Sequence, residues 1–384
     1  MSTRVYLDWN ATAPLHPAAR AAMLEAMQAT GNPSSPHWEG RHARSILEGA
    51  RERIAAAVGA EPRNVYFTSG ATEAANWVLT PTAVSGPRPL AALLVGATEH
   101  ACVLAGHRFA EAQVETLAVA PDGLVDIDRL SARLAALAAM HGPRAAMVAI
   151  QAANNETGVV QPLAAVLSLA AESDAVVVCD AVQLAGRGEA LPAADILFLS
   201  AHKLGGPKGI GAVIVRRDDL SPGPLVRGGG QERRQRSGTE NVAAAAGFAA
   251  ALEAATETRA AAMAHGQALR TAIETGLKRL HPATVVFAEG APRLPNTTLF
   301  AVPGVAAETA LIALDLTGVA VSSGSACSSG KVAASHVLAA MGVAPDLARC
   351  ALRVSTGPAT TARDVEVFLG AWEETLARRH ARAA

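Results

Sequence analysis

Aromatic side chains are scarce: Phe, Trp and Tyr make up 3% of the 384 residues, although 50% are hydrophobic. The interior must therefore be built from Ala, Val and Leu, a composition suited to helices packed on a buried sheet. An excess of charge of one sign is also missing. The 33 basic and 34 acidic residues leave a formal net charge of −1, and no Lys/Arg run is longer than two. That argues against nucleic acid or an acidic membrane surface as the main partner. The N-terminal MSTRVYLDWNATAP has no apolar h-region and no uninterrupted apolar stretch reaches the length of a membrane span, so a soluble cytoplasmic protein is expected. Cysteine is sparse and scattered. Cys102, Cys179, Cys327 and Cys350 form no CxxC or Cys/His cluster, so they read as thiols, with neither a disulfide framework nor a metal site expected. No GxGxxG joins a first strand to a helix, which counts against dinucleotide binding.

What is present is alternation. Short Val/Ile/Leu-rich runs at 65–68, 91–96, 145–151, 175–180, 196–200 and 211–217 alternate with Ala-rich helical stretches such as 45–59 and 126–142. This is the βαβ signature of a parallel sheet covered on both faces. Residues 222–239, rich in Gly, Pro and Arg, read as an exposed loop with nothing to bury, followed by a helix from about Asn241. From about 258 the pattern is mixed: helix 258–280, strands 285–288 and 297–302, helix 306–315, strand 352–355 and a terminal helix 361–380. The expected organisation is an α/β protein with a large domain over 14–257, its sheet mainly parallel between helices. A smaller α+β domain would be formed by 1–13 and 258–384.

Polar residues cluster where candidate strands end, the usual place for ligand sites in open α/β sheets. TSGATEAAN (68–76) opens a helix whose N–H groups favour an anion, though on this motif alone a plain N-cap by Ser69 or Thr72 is the preferred reading. Asp180 ends an apolar strand and needs a cationic or hydrogen-bonding partner there. Lys203, just past a hydrophobic strand in SAHKLGGPKG (200–209), could be desolvated into a nucleophilic amine; Lys208 reads as a solvated lysine. An anion-binding helix start, a buried Asp and a lysine on one edge are together what pyridoxal phosphate requires of its phosphate, ring-nitrogen and aldehyde partners.

With these motifs the chain resembles the cysteine desulfurases of the NifS/IscS type, in the class V group of fold-type I pyridoxal-phosphate enzymes. The matches run in order through YLDWNATAP, GNPSSPH, SGATEAAN, TEH, NNETGVVQP, DAVQ, SAHKLGGPKGIGA, RSGTEN, SSGSACSSG and LRVSTG. Val182 and Ala201 depart from the Thr and Gly that the family often has, without removing a needed side-chain group. The resemblance implies that Lys203 holds the cofactor aldehyde, Asp180 its ring nitrogen, and Gln183 and Asn155 its ring hydroxyl. It places His100 over the ring as a proton shuttle and gives the phosphate to the helix start at Ala71 and to Thr72, Ser200 and His202. Thr239 would reach the phosphate from a second subunit of a homodimer. Arg353 in ALRVS, by itself readable as one half of a structural salt bridge, would clamp the substrate carboxylate together with Asn155.

The activity implied is conversion of L-cysteine to L-alanine, a sulfurtransferase reaction in which Cys327 takes the sulfur as a persulfide. An iron–sulfur scaffold or another sulfur-acceptor protein would receive it. Of the four cysteines only Cys327 lies among serines and glycines, in VSSGSACSSG (321–330), with no large apolar neighbour. A selenocysteine lyase or another class V aminotransferase would use an overlapping site, and a non-catalytic scaffold would need none of Lys203, Asp180, His100 and Cys327.

Overall fold

The computed structural model describes residues 4–84, 89–323 and 335–383, so Cys327 lies outside the described residues. The chain opens with β1 (Val5–Tyr6), α1 (Pro17–Ala26) and α2 (Trp38–Val58). Alternation follows through β2 (Val65–Thr68), α3 (Ala71–Val78), β3 (Ala92–Gly96), α4 (Ala101–Leu104), β4 (Val114–Leu117) and α5 (Ile127–His141). It continues through β5 (Ala146–Gln151), α6 (Leu163–Glu172), β6 (Val176–Asp180), β7 (Ile196–Ser200) and β8 (Gly211–Val215). Two long helices come next, α7 (Val242–Glu257) and α8 (Arg259–Leu280). The remainder is β9 (Val285–Val286), β10 (Thr297–Ala301), α9 (Ala307–Leu316), β11 (Val319–Ala320), β12 (Ser322–Ser323), α10 (His336–Ala340), α11 (Pro345–Ala348), β13 (Ala351–Ser355) and α12 (Ala362–Ala383).

Seven strands form one sheet in the order β2-β8-β7-β6-β5-β3-β4. Every pairing is parallel except the two made by β8. That reversal follows from the short link after β7, which leaves no room for the crossover that a parallel neighbour requires. Alternate residues of the central strands enter two different cores. Leu94, Val148, Ile150, Val177 and Leu197 join the helices on one face, and Leu93, Val95, Met147, Val178 and Phe198 join those on the other. Coverage on both faces is the physical reason these strands read as unbroken apolar runs.

The second sheet, β12-β13-β10-β9, is antiparallel and packs Phe300, Leu352 and Val354 against Phe368 and Trp372 of α12. The N-terminal segment belongs with this half in its contacts: β1 pairs with β11, and Asp8 bridges to Ser355. No helix among the described residues is long and apolar enough to cross a membrane.

The 222–239 segment departs from expectation, because it does bury something. The Glu232 side chain, 1% exposed, accepts two hydrogen bonds from Arg51 at 2.7 and 2.8 Å and one from the Phe67 amide at 2.9 Å. Removing Glu232 takes the two enclosed acceptors from a guanidinium that is 3% exposed, leaving it the half-exposed Glu48 and the Val65 carbonyl. The Glu232→Ala variant is therefore expected to lose about 1–3 kcal/mol, measured by equilibrium unfolding in denaturant.

Candidate active site

The parallel strands all point the same way, so their C-terminal ends bring the sequence motifs to one edge. On that edge Gln151 pairs with Asp180, Asp180 with Phe198, and Ser200 with Gly211. The Gln151 side chain donates to both oxygens of Thr98, at 2.7 and 2.9 Å, tying the TEH turn to β5.

The start of α3 has no side-chain cap, which corrects the simple N-cap reading of Ser69 or Thr72. Gly70 precedes it at φ 153°, a backbone conformation that disfavours any side chain. A methyl group added at Gly211 would come within 2.8 Å of the Gly70 Cα. The helix therefore starts directly over the β7–β8 end, where the Ser200 Oγ lies 3.9 Å from the position of a Gly70 Cβ. Uncapped N–H groups and a buried hydroxyl are the donor set that a phosphate needs. Thr72 is exposed in the first turn of this helix. Thr239 is exposed and, among the described residues, makes no hydrogen bond to the other site residues of its own chain. Its segment is tied to α3 by Arg236, which pairs with Glu73 at 2.9 Å.

Asp180 is 8% exposed and accepts from the Val182 amide at 2.9 Å. Burial pushes its carboxyl up to about 6, opposed by that amide and by the charge of Lys203. A cationic ring nitrogen would reverse this cost, so the site fits the pyridine end of the cofactor. Glu99, equally enclosed, is pushed well above the usual carboxyl range by burial and by Asp180.

His100 caps α4, its Nδ1 accepting from the Cys102 amide at 3.2 Å. Burial and the charges of Lys203 and His336 hold the ring below the usual imidazole range, so at neutral pH its single proton sits on Nε2. His202 is pushed down to about 4 by burial and by Lys203, Lys208 and Arg187; its Nδ1 lies 3.2 Å from Thr12 Oγ1. It would meet a phosphate as a neutral donor.

Lys203 donates to the backbone carbonyls of Asn10 and Ala11, both at 2.9 Å. Lys208 is exposed, as the sequence suggests. Gln183 donates to the Asn10 carbonyl at 3.1 Å and accepts from Arg187. Arg353, 5% exposed, pairs with Asp8 at 2.7 Å and donates to the Asn155 carbonyl at 2.9 Å, while its buried Nε has no partner among the described residues. The structural ion pair and the open donor thus coexist in one side chain.

The sequence reading assigned no role to Asn10 or Arg187. Arg187 donates to Asn10 Oδ1 at 3.2 Å, to the Trp9 carbonyl at 2.9 Å, and to Gln183 and the Lys203 carbonyl. Burial and the nearby Arg353 charge push it down to about 10. It thus ties the N-terminal segment to the two residues flanking it in the site. Two of its four partners are backbone oxygens, which leave no mark in a sequence. A charged residue between two glycines, in GRG just after DAVQ, was the available signal.

Fold and site together define a class V aminotransferase. The family model described as "Aminotransferase class-V" matches residues 5–368. Two similar proteins narrow this further. A cysteine desulfurase of Frankia sp. (strain EuIK1) is 40% identical over 94% of this chain and 88% of its own length, and the IscS cysteine desulfurase of Dictyoglomus turgidum is 35% identical over 98% and 95%. Among solved structures, a NifS-like protein from Rickettsia africae superposes with a TM-score of 0.87 at 32% identity, covering 97% of this chain and 99% of its own. SspA, solved in complex with cysteine, superposes at 0.75 with 27% identity, covering 94% and 100%. The chain belongs to the cysteine desulfurase branch of the class V aminotransferases, a family dependent on pyridoxal phosphate.

Proposed function

We propose that the chain converts L-cysteine to L-alanine at this edge and stores the sulfur as a persulfide on Cys327. The sulfur would go on to iron–sulfur cluster assembly or to other sulfur-containing cofactors. The observation that carries the reading is the convergence of an uncapped helix start, Asp180, His100 and Lys203 on one sheet edge. Bound pyridoxal phosphate supplies an aldehyde for the substrate amine and a sink for the electrons left at Cα.

The chain's own residues do the rest. Ala71, Thr72, Ser200 and His202 hold the phosphate, completed by Thr239 from a second subunit of a homodimer. Asp180 balances the ring nitrogen, and Asn155 and Gln183 fix the ring hydroxyl. Lys203 would hold the cofactor aldehyde, and its Nζ, when free, would take the Cα proton of the substrate. His100, with its proton on Nε2, returns a proton to the departing product. The Cys327 thiolate attacks the substrate sulfur, an S–S bond forms as the C–S bond breaks, and alanine leaves after protonation. The division into 14–257 and 1–13 with 258–384 is the domain organisation this mechanism uses, and the contacts of β1 and Asp8 with β11 and Ser355 support it. A cytoplasmic setting fits a reactive thiol that must stay reduced.

The absorption spectrum of the purified protein, with alanine and persulfide assays on L-cysteine, tests the reading. A colourless protein that forms no alanine would sink it. For the carboxylate clamp, Arg353→Ala is expected to raise KM for L-cysteine on the order of 10- to 100-fold, as loss of a charge-assisted bond implies. An unchanged KM beside a lowered melting temperature would reduce Arg353 to the partner of Asp8.

A further inference from the structure

One buried carboxyl at this edge takes no part in the chemistry above. Glu156, in the NNETG turn, is 4% exposed, and its Oε2 accepts from the Ser335 hydroxyl at 2.6 Å. Ser335 is the N-cap of α10, accepting from the Leu338 amide at 3.1 Å. That cap is complete without Glu156. The turn is itself rigid: the amides of Glu156 and Thr157 both donate to Asn154 Oδ1 at 2.9 Å, and Asn154 donates to the Thr98 carbonyl at 3.0 Å. The next residue of α10, His336, donates from Nε2 to the Glu99 carbonyl at 2.9 Å.

Two successive residues thus dock the start of α10 onto two turns of the cofactor edge, TEH and NNETG. Burial pushes the Glu156 carboxyl up to about 7 against the Ser335 bond and the Arg353 charge. Packing alone would be served better by an apolar side chain, so the carboxyl is there for its acceptor. Ser335 follows Cys327 by only eight residues in the chain (335 − 327).

We propose that Glu156 is a positioning residue: through Ser335 it fixes the end of the segment leading from Cys327 against the edge that carries His100 and Asp180. The proposal rests on the sulfur-accepting role given to Cys327.

A double-mutant cycle on the holoenzyme tests it, with kcat and KM for alanine formation, cofactor absorbance and melting temperature read together. Glu156→Ala and Ser335→Ala are each expected to lower kcat on the order of tenfold, with KM and cofactor content unchanged. The double variant should fall no further than either single one, because both remove the same contact. Glu156→Gln keeps an oxygen for Ser335 and should restore kcat to near the parent value. Additive losses, or a Glu156→Gln variant as impaired as Glu156→Ala, would overturn the proposal. So would losses that follow cofactor content or melting temperature. Full sulfur transfer by Cys327→Ala would instead remove the reading beneath it, an outcome separable because it is measured on a different variant.

Discussion

The Lys203→Ala variant is expected to bind pyridoxal phosphate only reversibly and to lose the covalent link that borohydride reduces onto the chain. Alanine formation should fall by about 10²–10⁴-fold from loss of the proton acceptor alone. The geometry explains why no neighbour substitutes. The Nζ of Lys203 is held at 2.9 Å by two carbonyls of the N-terminal segment, and Arg187 grips the Lys203 carbonyl. Backbone and side chain are both fixed to the same strip, so the amine is aimed, whereas the exposed Lys208 is not. Lys208→Ala is accordingly expected to leave labelling and turnover unchanged. A borohydride-stable label persisting in Lys203→Ala would refute the assignment.

How much of this was legible in the sequence depends on what each residue touches. The six Val/Ile/Leu runs became β2, β3, β5, β6, β7 and β8 with small shifts at their ends, because a strand covered on both faces has to be apolar throughout. The reversed direction of β8 is a property of the connection before it and does not appear in the strand itself. β4 was missed because it lies at the edge of the sheet, where of VETL only Leu117 is buried. α2 begins at Trp38, seven residues before the helix read at 45 (45 − 38), with His37 as its cap in place of a more usual Ser or Asp.

The site divides in the same way. Lys203, Asp180 and His100 stand out because a polar side chain at the end of an apolar strand demands a reason. The Asn10 carbonyl holds Lys203, Arg187 divides its bonds between two backbone carbonyls and two side chains, and Glu232 finds Arg51 across 181 residues of chain. Such pairings exist only once the chain has folded.

In the Cys327→Ala variant the yellow cofactor is expected to remain at full content, while persulfide formation from L-cysteine and sulfur transfer to an acceptor fall to background. The other thiols support so complete a loss. Cys179 is fully enclosed in β6, with burial and the carboxyls of Asp180 and Glu99 pushing its thiol well above the ordinary range. Cys102, 8% exposed, is pushed up to about 12 by burial and the same two carboxyls, and its sulfur lies 3.0 Å from His100 Nδ1. Cys350 is 6% exposed, packed just before β13 with its sulfur 3.3 Å from the Asp346 carbonyl. A thiol must be reached to attack sulfur, and burial denies that to all three, while Cys179 and Cys102 are also held in the thiol form. Substituting each of these three by Ala should therefore disturb packing without abolishing transfer, and thermal melts beside a persulfide assay separate the two effects. Persulfide trapped on Cys102 in the Cys327→Ala protein would overturn the assignment, since Cys102 alone of the three touches His100.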